Sequence, residues 1–211
     1  SLNLALEEAP EGKLAVEILD GLLHDTRVHG AVDERLRLTE VLREHYARIE
    51  SWSEWCGLLE QELDYTDDAW ERLELMAQIA RRQEIELQAP ERALDTWCRA
   101  FASDYGNQDA RQEMERLARE HGAWLQLTDA YENGLDTYDD VDGAIEILAR
   151  VAEVRELELK DLEGAVNGFN KLRQGGVHMN AMIHNCLLGV SVQRGDAAAA
   201  KEHFQQMKEL D

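Results

Sequence analysis

The sequence predicts an all-α protein, a superhelical stack (solenoid) of antiparallel helical hairpins. Three observations predict it. The stretch Glu74 to Trp97 returns 72 residues later, without a gap, as Glu146 to Phe169. Only two prolines, Pro10 and Pro90, punctuate 211 residues rich in Leu, Ala, Glu and Arg, all good helix formers. Apolar residues recur at helical spacing along the chain, and no stretch reads as a strand. A chain that repeats itself at this length stacks supersecondary units that cannot bury their apolar faces alone.

The repeat is residue-specific. Glu74, Ala77, Ala80, Glu84, Glu86, Leu87, Glu91 and Ala93 recur unchanged at Glu146, Ala149, Ala152, Glu156, Glu158, Leu159, Glu163 and Ala165. Met76, Ile79, Leu94 and Trp97 recur as Leu148, Val151, Val166 and Phe169. The flanks follow the same offset, pairing Trp52 with Trp124, Leu63 with Leu135, and Asp67-Asp68 with Asp139-Asp140.

Taken in order, residues 2–8 read as the end of a helix, and the chain as a fragment of a longer protein. Pro10 starts the next helix, where its missing N–H is harmless, with Leu14, Ala15, Ile18, Leu19, Leu22 and Leu23 on one face. His24 to Gly30 is a turn flanked by His24 and His29. Asp33 opens a helix with Leu36, Leu38, Val41, Leu42 and Tyr46 inward. Ser51 with Glu54 forms a capping-box pattern before a stripe of Trp52, Trp55, Leu58, Leu59 and Leu63.

Asp67 or Asp68 caps a long helix to Leu87, with Ala69, Leu73, Met76, Ala80 and Leu87 inside. Pro90 begins its partner, which buries Ala93, Leu94, Trp97, Ala100 and Phe101; the short link forces a hairpin. Ala110, Met114 and Leu117 lie on a helix ended by Gly122, and Trp124, Leu127, Ala130, Tyr131 and Leu135 on the next. Asp140 caps Val141 to Leu159, and Leu162 to Leu172 folds back on it. Gly175-Gly176 breaks the pattern. Met179, Met182, Ile183, Cys186, Leu187 and Val190 then predict a helix to about Val192, and Ala200, Phe204 and Met207 line a last one. The expected total is about ten to eleven helices.

Four helices share a small residue with a bulky one four later: Ala15/Leu19, Ala93/Trp97, Ala165/Phe169 and Ala200/Phe204. This spacing resembles the second helix of the tetratricopeptide repeat (TPR) family, and Trp124, Leu127 and Tyr131 resemble its first-helix signature. Asp68 and Asp140 stand where the two signatures would have to join in one standard repeat, so residues 10–173 read as a divergent, acidic array with a 72-residue double-hairpin period. Residues 176–211 read as a terminal hairpin of TPR or pentatricopeptide type, carried by Gly176-Val177, Asn180 to Ile183 and Arg194-Gly195-Asp196. The whole is read as a single helical-repeat array over residues 1–211.

The formal net charge is −22, from 44 acidic and 22 basic side chains, and residues 1–170 carry all of the acidic excess. Such a surface repels phosphate backbones and anionic lipid heads, so neither nucleic acid nor membrane is the expected partner. No apolar run of membrane-spanning length occurs, and Cys56, Cys98 and Cys186 are too scattered for a disulfide framework, which predicts a reducing, cytoplasmic setting.

No phosphate-cradling, zinc-protease or nucleophile-elbow motif is present. Asp136 to Gly143 fails as a calcium loop, because Tyr138 and Ala149 stand where carboxylates are needed. The histidines are dispersed; of His178, His184 and His203, a hairpin could bring two together. No catalytic, cofactor or metal residue is predicted, and no cofactor. The resemblance implies a non-catalytic scaffold for protein–protein interaction that binds a peptide or helix, and the charge predicts a basic one. The alternatives are a pentatricopeptide-type RNA-binding array and a regulatory arm of a multidomain protein. Self-association through exposed end hairpins is also expected.

Overall fold

The computed structural model describes residues 21, 32–134, 141–161, 163, 164, 167, 168 and 181–210. Every regular element among them is an α-helix, as the sequence predicts. The chain divides into two compact units, Ser1–Ser103 and Asp104–Asp211.

In the first unit, α1 (Val32–Arg48), α2 (Trp52–Leu63), α3 (Ala69–Ile85) and α4 (Pro90–Ser103) pack each on the next, α3 against α4 most extensively. Short connections leave antiparallel packing as the only way for consecutive helices to touch. The core holds Leu42, Trp55, Leu59, Ile79, Leu94, Trp97 and Phe101. In the second unit, α5 (Gln108–His121), α6 (Trp124–Gly134) and α7 (Val141–Leu157) also pack in succession. A further hairpin, α8 (Ala181–Arg194) with α9 (Ala197–Leu210), joins α7 through α8. Met114, Leu117, Leu127, Tyr131 and Val151 form the core among α5, α6 and α7. Each unit therefore has the helical-hairpin architecture that the resemblance to TPR proteins implied.

The 72-residue repeat is present in the backbone itself. The turn after α3 puts Gln88 at φ 51°, with Leu87 N–H donating to Arg82 C=O and Ala89 N–H to Gln83 C=O, at 3.1 and 2.8 Å. The turn after α7 puts Lys160 at φ 55°, with Leu159 N–H donating to Val154 C=O and Asp161 N–H to Arg155 C=O, at the same two distances. The turn after α1 has Glu50 at φ 56°, and its counterpart after α5 has Gly122 at φ 69°. Only at the last has the sequence placed the residue that tolerates this left-handed region at no steric cost.

Several local expectations are corrected. Ser51 stands at the N-cap of α2 but makes no capping bond; its hydroxyl donates to Glu54 Oε2 at 2.9 Å instead. Asp68 is the cap of α3, accepting from Glu71 N–H. That helix ends at Ile85, before Leu87. Its buried stripe is Leu75, Met76, Ile79, Ala80 and Gln83; Ala69 is exposed, and Leu73 and Leu87 are half-buried. The reason is that α3 lies between α2 and α4, so two of its faces are covered. Trp52, Trp124 and Ala130 are half-buried, as is Cys98, while Cys56 is buried. Phe204 is exposed, since α8 alone packs on α9 extensively among the described elements.

The helix predicted from Pro10, the His24–Gly30 turn, Leu135, the Asp136–Asp140 loop, most of the 162–172 helix, Gly175-Gly176, His178 and Met179 lie outside the described residues, as do the side chains of Leu36, Met182, Ile183 and Cys186.

Candidate functional site

In the second unit, a groove of about 330 Å³ runs along α5, lined by Gln108, Arg111, Gln112, Glu115, Arg116 and Arg119. These residues fall three, four, seven, eight and eleven positions after Gln108, so helical periodicity alone puts them on one side of α5. The opposite side carries Ala110, Met114, Leu117 and Ala118, all fully buried. Asn107 fixes the start of the helix by accepting from Ala110 N–H at 2.9 Å. Gly122 in left-handed geometry ends it.

Side chains of α7 meet this face. Arg111 reaches Glu146 at 3.0 Å, and Arg150 reaches Glu115 at 3.2 Å. Beneath them Tyr131 of α6 donates its hydroxyl to Glu115 Oε1 at 2.9 Å. Burial, then the Glu115 carboxylate, push the Tyr131 phenol well above its ordinary value, so it remains a donor. Burial opposes the charge of Arg111, but Tyr131 and Glu146 outweigh it; burial opposes Arg150 likewise, outweighed by Glu153 and Glu115. The result is a lattice of alternating charge around the half-buried Glu115 and the buried Tyr131, with exposed Glu146 and Glu153 at its edge.

Arg116 is shared between Glu113 (2.7 Å) and Glu120 (2.8 Å) on its own helix. Arg119, one turn on, is exposed. The six lining residues include three arginines and one carboxylate, so cations line the groove itself while Glu113, Glu120 and Glu146 pair with them from its sides.

Comparison with the first copy of the repeat isolates what is particular here. Subtracting 72 from the six groove positions gives Leu36, Thr39, Glu40, Arg43, Glu44 and Ala47 on α1. Glu40 becomes Gln112, Arg43 becomes Glu115, Glu44 becomes Arg116 and Ala47 becomes Arg119. At two fully buried positions only the shape of an apolar side chain changes, Leu42 to Met114 and Ile79 to Val151. The sequence reading left the partner-binding residues unassigned. The signal that distinguishes the α5 face is this substitution of charge at offset positions, which is read as one surface only once α7 side chains reach α5.

The two tryptophans of α2 pack edge to face at 6.2 Å, and the Arg82 guanidinium lies 4.4 Å above the Trp52 ring. They are packing residues with a cationic lid, as the stripe implied. His184 and His203 do come together, across the α8–α9 hairpin. Among the described residues, no group of three or more His, Cys, Asp or Glu is placed to hold a metal ion. No described helix is long and apolar enough to cross a membrane.

No protein-family profile matches the chain, and no curated protein matches it. Among solved structures, the chain is similar to PilW, described as a widely conserved type IV pilus biogenesis factor, at 16% identity and a TM-score of 0.44, over 99% of this chain and 90% of that one. It is also similar to a tetratricopeptide repeat protein from Parabacteroides merdae, at 13% identity and a TM-score of 0.40, over 99% of this chain and 84% of that one.

Proposed function

We propose that the chain is a non-catalytic scaffold that holds a segment of another protein, a peptide or a single helix, along the α5 face of its second unit. The observation that carries this is the divergence of the repeat: fully buried positions such as Leu42/Met114 and Ile79/Val151 stay apolar while the groove positions exchange charge. Packing demands account for the first. A surface that only needed to be soluble would not need the second to be locked into ion pairs across two helices.

The partner segment is basic overall and carries at least one carboxylate. The net charge of −22 steers basic segments toward the chain over distances of about a Debye length. Close in, Arg116 and Arg119 favour an acidic side chain, and Glu115 and Glu146 favour basic neighbours to it. Mixed charge of this kind sets register more than raw affinity.

A displayed library of short peptides, selected at low and high salt, tests the reading. Selected segments should be rich in Lys and Arg, contain an Asp or Glu, and weaken as salt rises. The double variant Arg116→Glu/Arg119→Glu should select segments without the carboxylate. An identical set of peptides for both proteins, or no enrichment at all, would remove the α5 face from consideration.

A further inference from the structure

We infer that His184 and His203 form a two-imidazole chelate for a first-row divalent metal ion, zinc or nickel, clipping the α8–α9 hairpin shut. The two Nδ1 atoms stand 3.3 Å apart, one on each helix of the hairpin. Metal–imidazole bonds of about 2.0–2.1 Å at a tetrahedral angle place two ligand nitrogens about 3.3 Å apart. The spacing therefore fits a shared ion with both ring nitrogens as its ligands.

The ring arrangement agrees. The ring centroids are 5.6 Å apart and the planes are inclined at 40°, so the rings are neither stacked nor edge-on. His184 is 6% exposed, which fixes one ligand in place. His203 is half-buried, which leaves a way in for the ion and for water. Since no third described side chain joins the pair, water fills the remaining positions. Zinc and nickel suit this donor set, because neutral imidazole is a borderline ligand and the hard cations calcium and magnesium require oxygen. Among the described residues of the hairpin, Leu187 and Val190 are buried and Phe204 is half-exposed.

The experiment is a titration of the 211-residue chain with zinc chloride, and separately nickel chloride. Imidazole nitrogen resonances are followed by NMR with zinc, and thermal unfolding with both. One equivalent of zinc should shift the Nδ1 signals of His184 and His203 together, and each metal should raise the unfolding temperature. His203→Gln should weaken zinc binding by about tenfold or more, a loss at least as large as that from removing a group behind a metal ligand. Its helical circular dichroism should be unchanged. His184→Gln should give the same loss. Zinc that moves neither ring, that moves only other histidines such as His45 or His121, or that binds the His203→Gln variant as tightly as the parent overturns the inference. The first two outcomes are read on the parent chain and do not depend on a variant folding.

Discussion

The two copies of the 72-residue repeat differ most where a side chain must satisfy another polar group, and least where it fills space. At the position shared by Gln83 and Arg155, the first copy is closed by a neutral pair, with the Thr96 hydroxyl donating to Gln83 Oε1 at 2.8 Å. The second copy has Gly168 in place of Thr96. There Arg155 reaches sideways, to Glu132 at 3.0 Å and Asp161 at 2.7 Å. Glu132 has its counterpart in Glu60, which in the first copy pairs with Arg99 at 2.8 Å. Asp161 replaces Ala89. The backbone turn beneath is the same in both. One hairpin frame thus accepts either a neutral lock or an ionic one, provided that the whole set of partners changes together.

The strongest way to break that comparison is to move one partner without the others. Gln83→Arg places a cation at a 6% exposed site that lacks an Asp161 equivalent, and leaves the Thr96 hydroxyl only the Arg92 carbonyl as acceptor. It should cost about 3 kcal/mol, within the range for an uncompensated buried charge. Urea unfolding followed by tryptophan fluorescence reads it, since four of the tryptophans lie in the first unit. Adding Ala89→Asp should restore part of the loss; no recovery would mean that the two locks are not interchangeable.

The reverse exchange, Arg155→Gln, should cost less, about 1–2 kcal/mol, because Glu132 and Asp161 can turn to solvent. The Gly164 N–H and then Arg155 hold the Asp161 carboxyl below its ordinary value. A depressed folded value contributes stability that is present above the unfolded value and lost as pH falls through the folded one. The gap between parent and variant should therefore close on acidification below the usual aspartate range. A gap that stays constant in acid, measured by circular dichroism, would show that Arg155 acts through packing alone.

The smallest effect concerns the turns. Gln88→Gly and Lys160→Gly relieve a left-handed residue at equivalent places, but loosen the unfolded chain. Each should raise stability by about 0.5 kcal/mol. Equal gains in thermal unfolding would confirm that the turns are energetically the same; a gain at one alone would show that their neighbours differ.

The repeat was legible because it is written in helix formers, small residues and bulky residues at fixed spacing, which are local properties. Ala93 and Trp97 could be placed from spacing alone. Capping was less legible: Ser51 matches the capping-box pattern, yet its hydroxyl prefers the Glu54 carboxylate over the backbone, since both lie within reach. The buried stripe of α3 was misjudged because amphipathic periodicity assumes one covered face, and α3 has two. Phe204 was misjudged for the opposite reason: spacing gives a side chain's direction on its helix, not whether a neighbour covers it.

The sequence by itself determined the all-α class, the length of the repeat, most hairpin turns and the acidic balance, because each follows from residues near one another or from a sum over all of them. Only the tertiary structure decided that Arg111 meets Glu146, that Glu115 joins Arg150 and Tyr131, and that His184 faces His203 at 3.3 Å. Those pairings join residues 16 to 35 positions apart, and their geometry depends on how one helix rolls and slides against the next. Side-chain volume summed over a whole interface sets that roll and slide, and no single spacing in the chain records it.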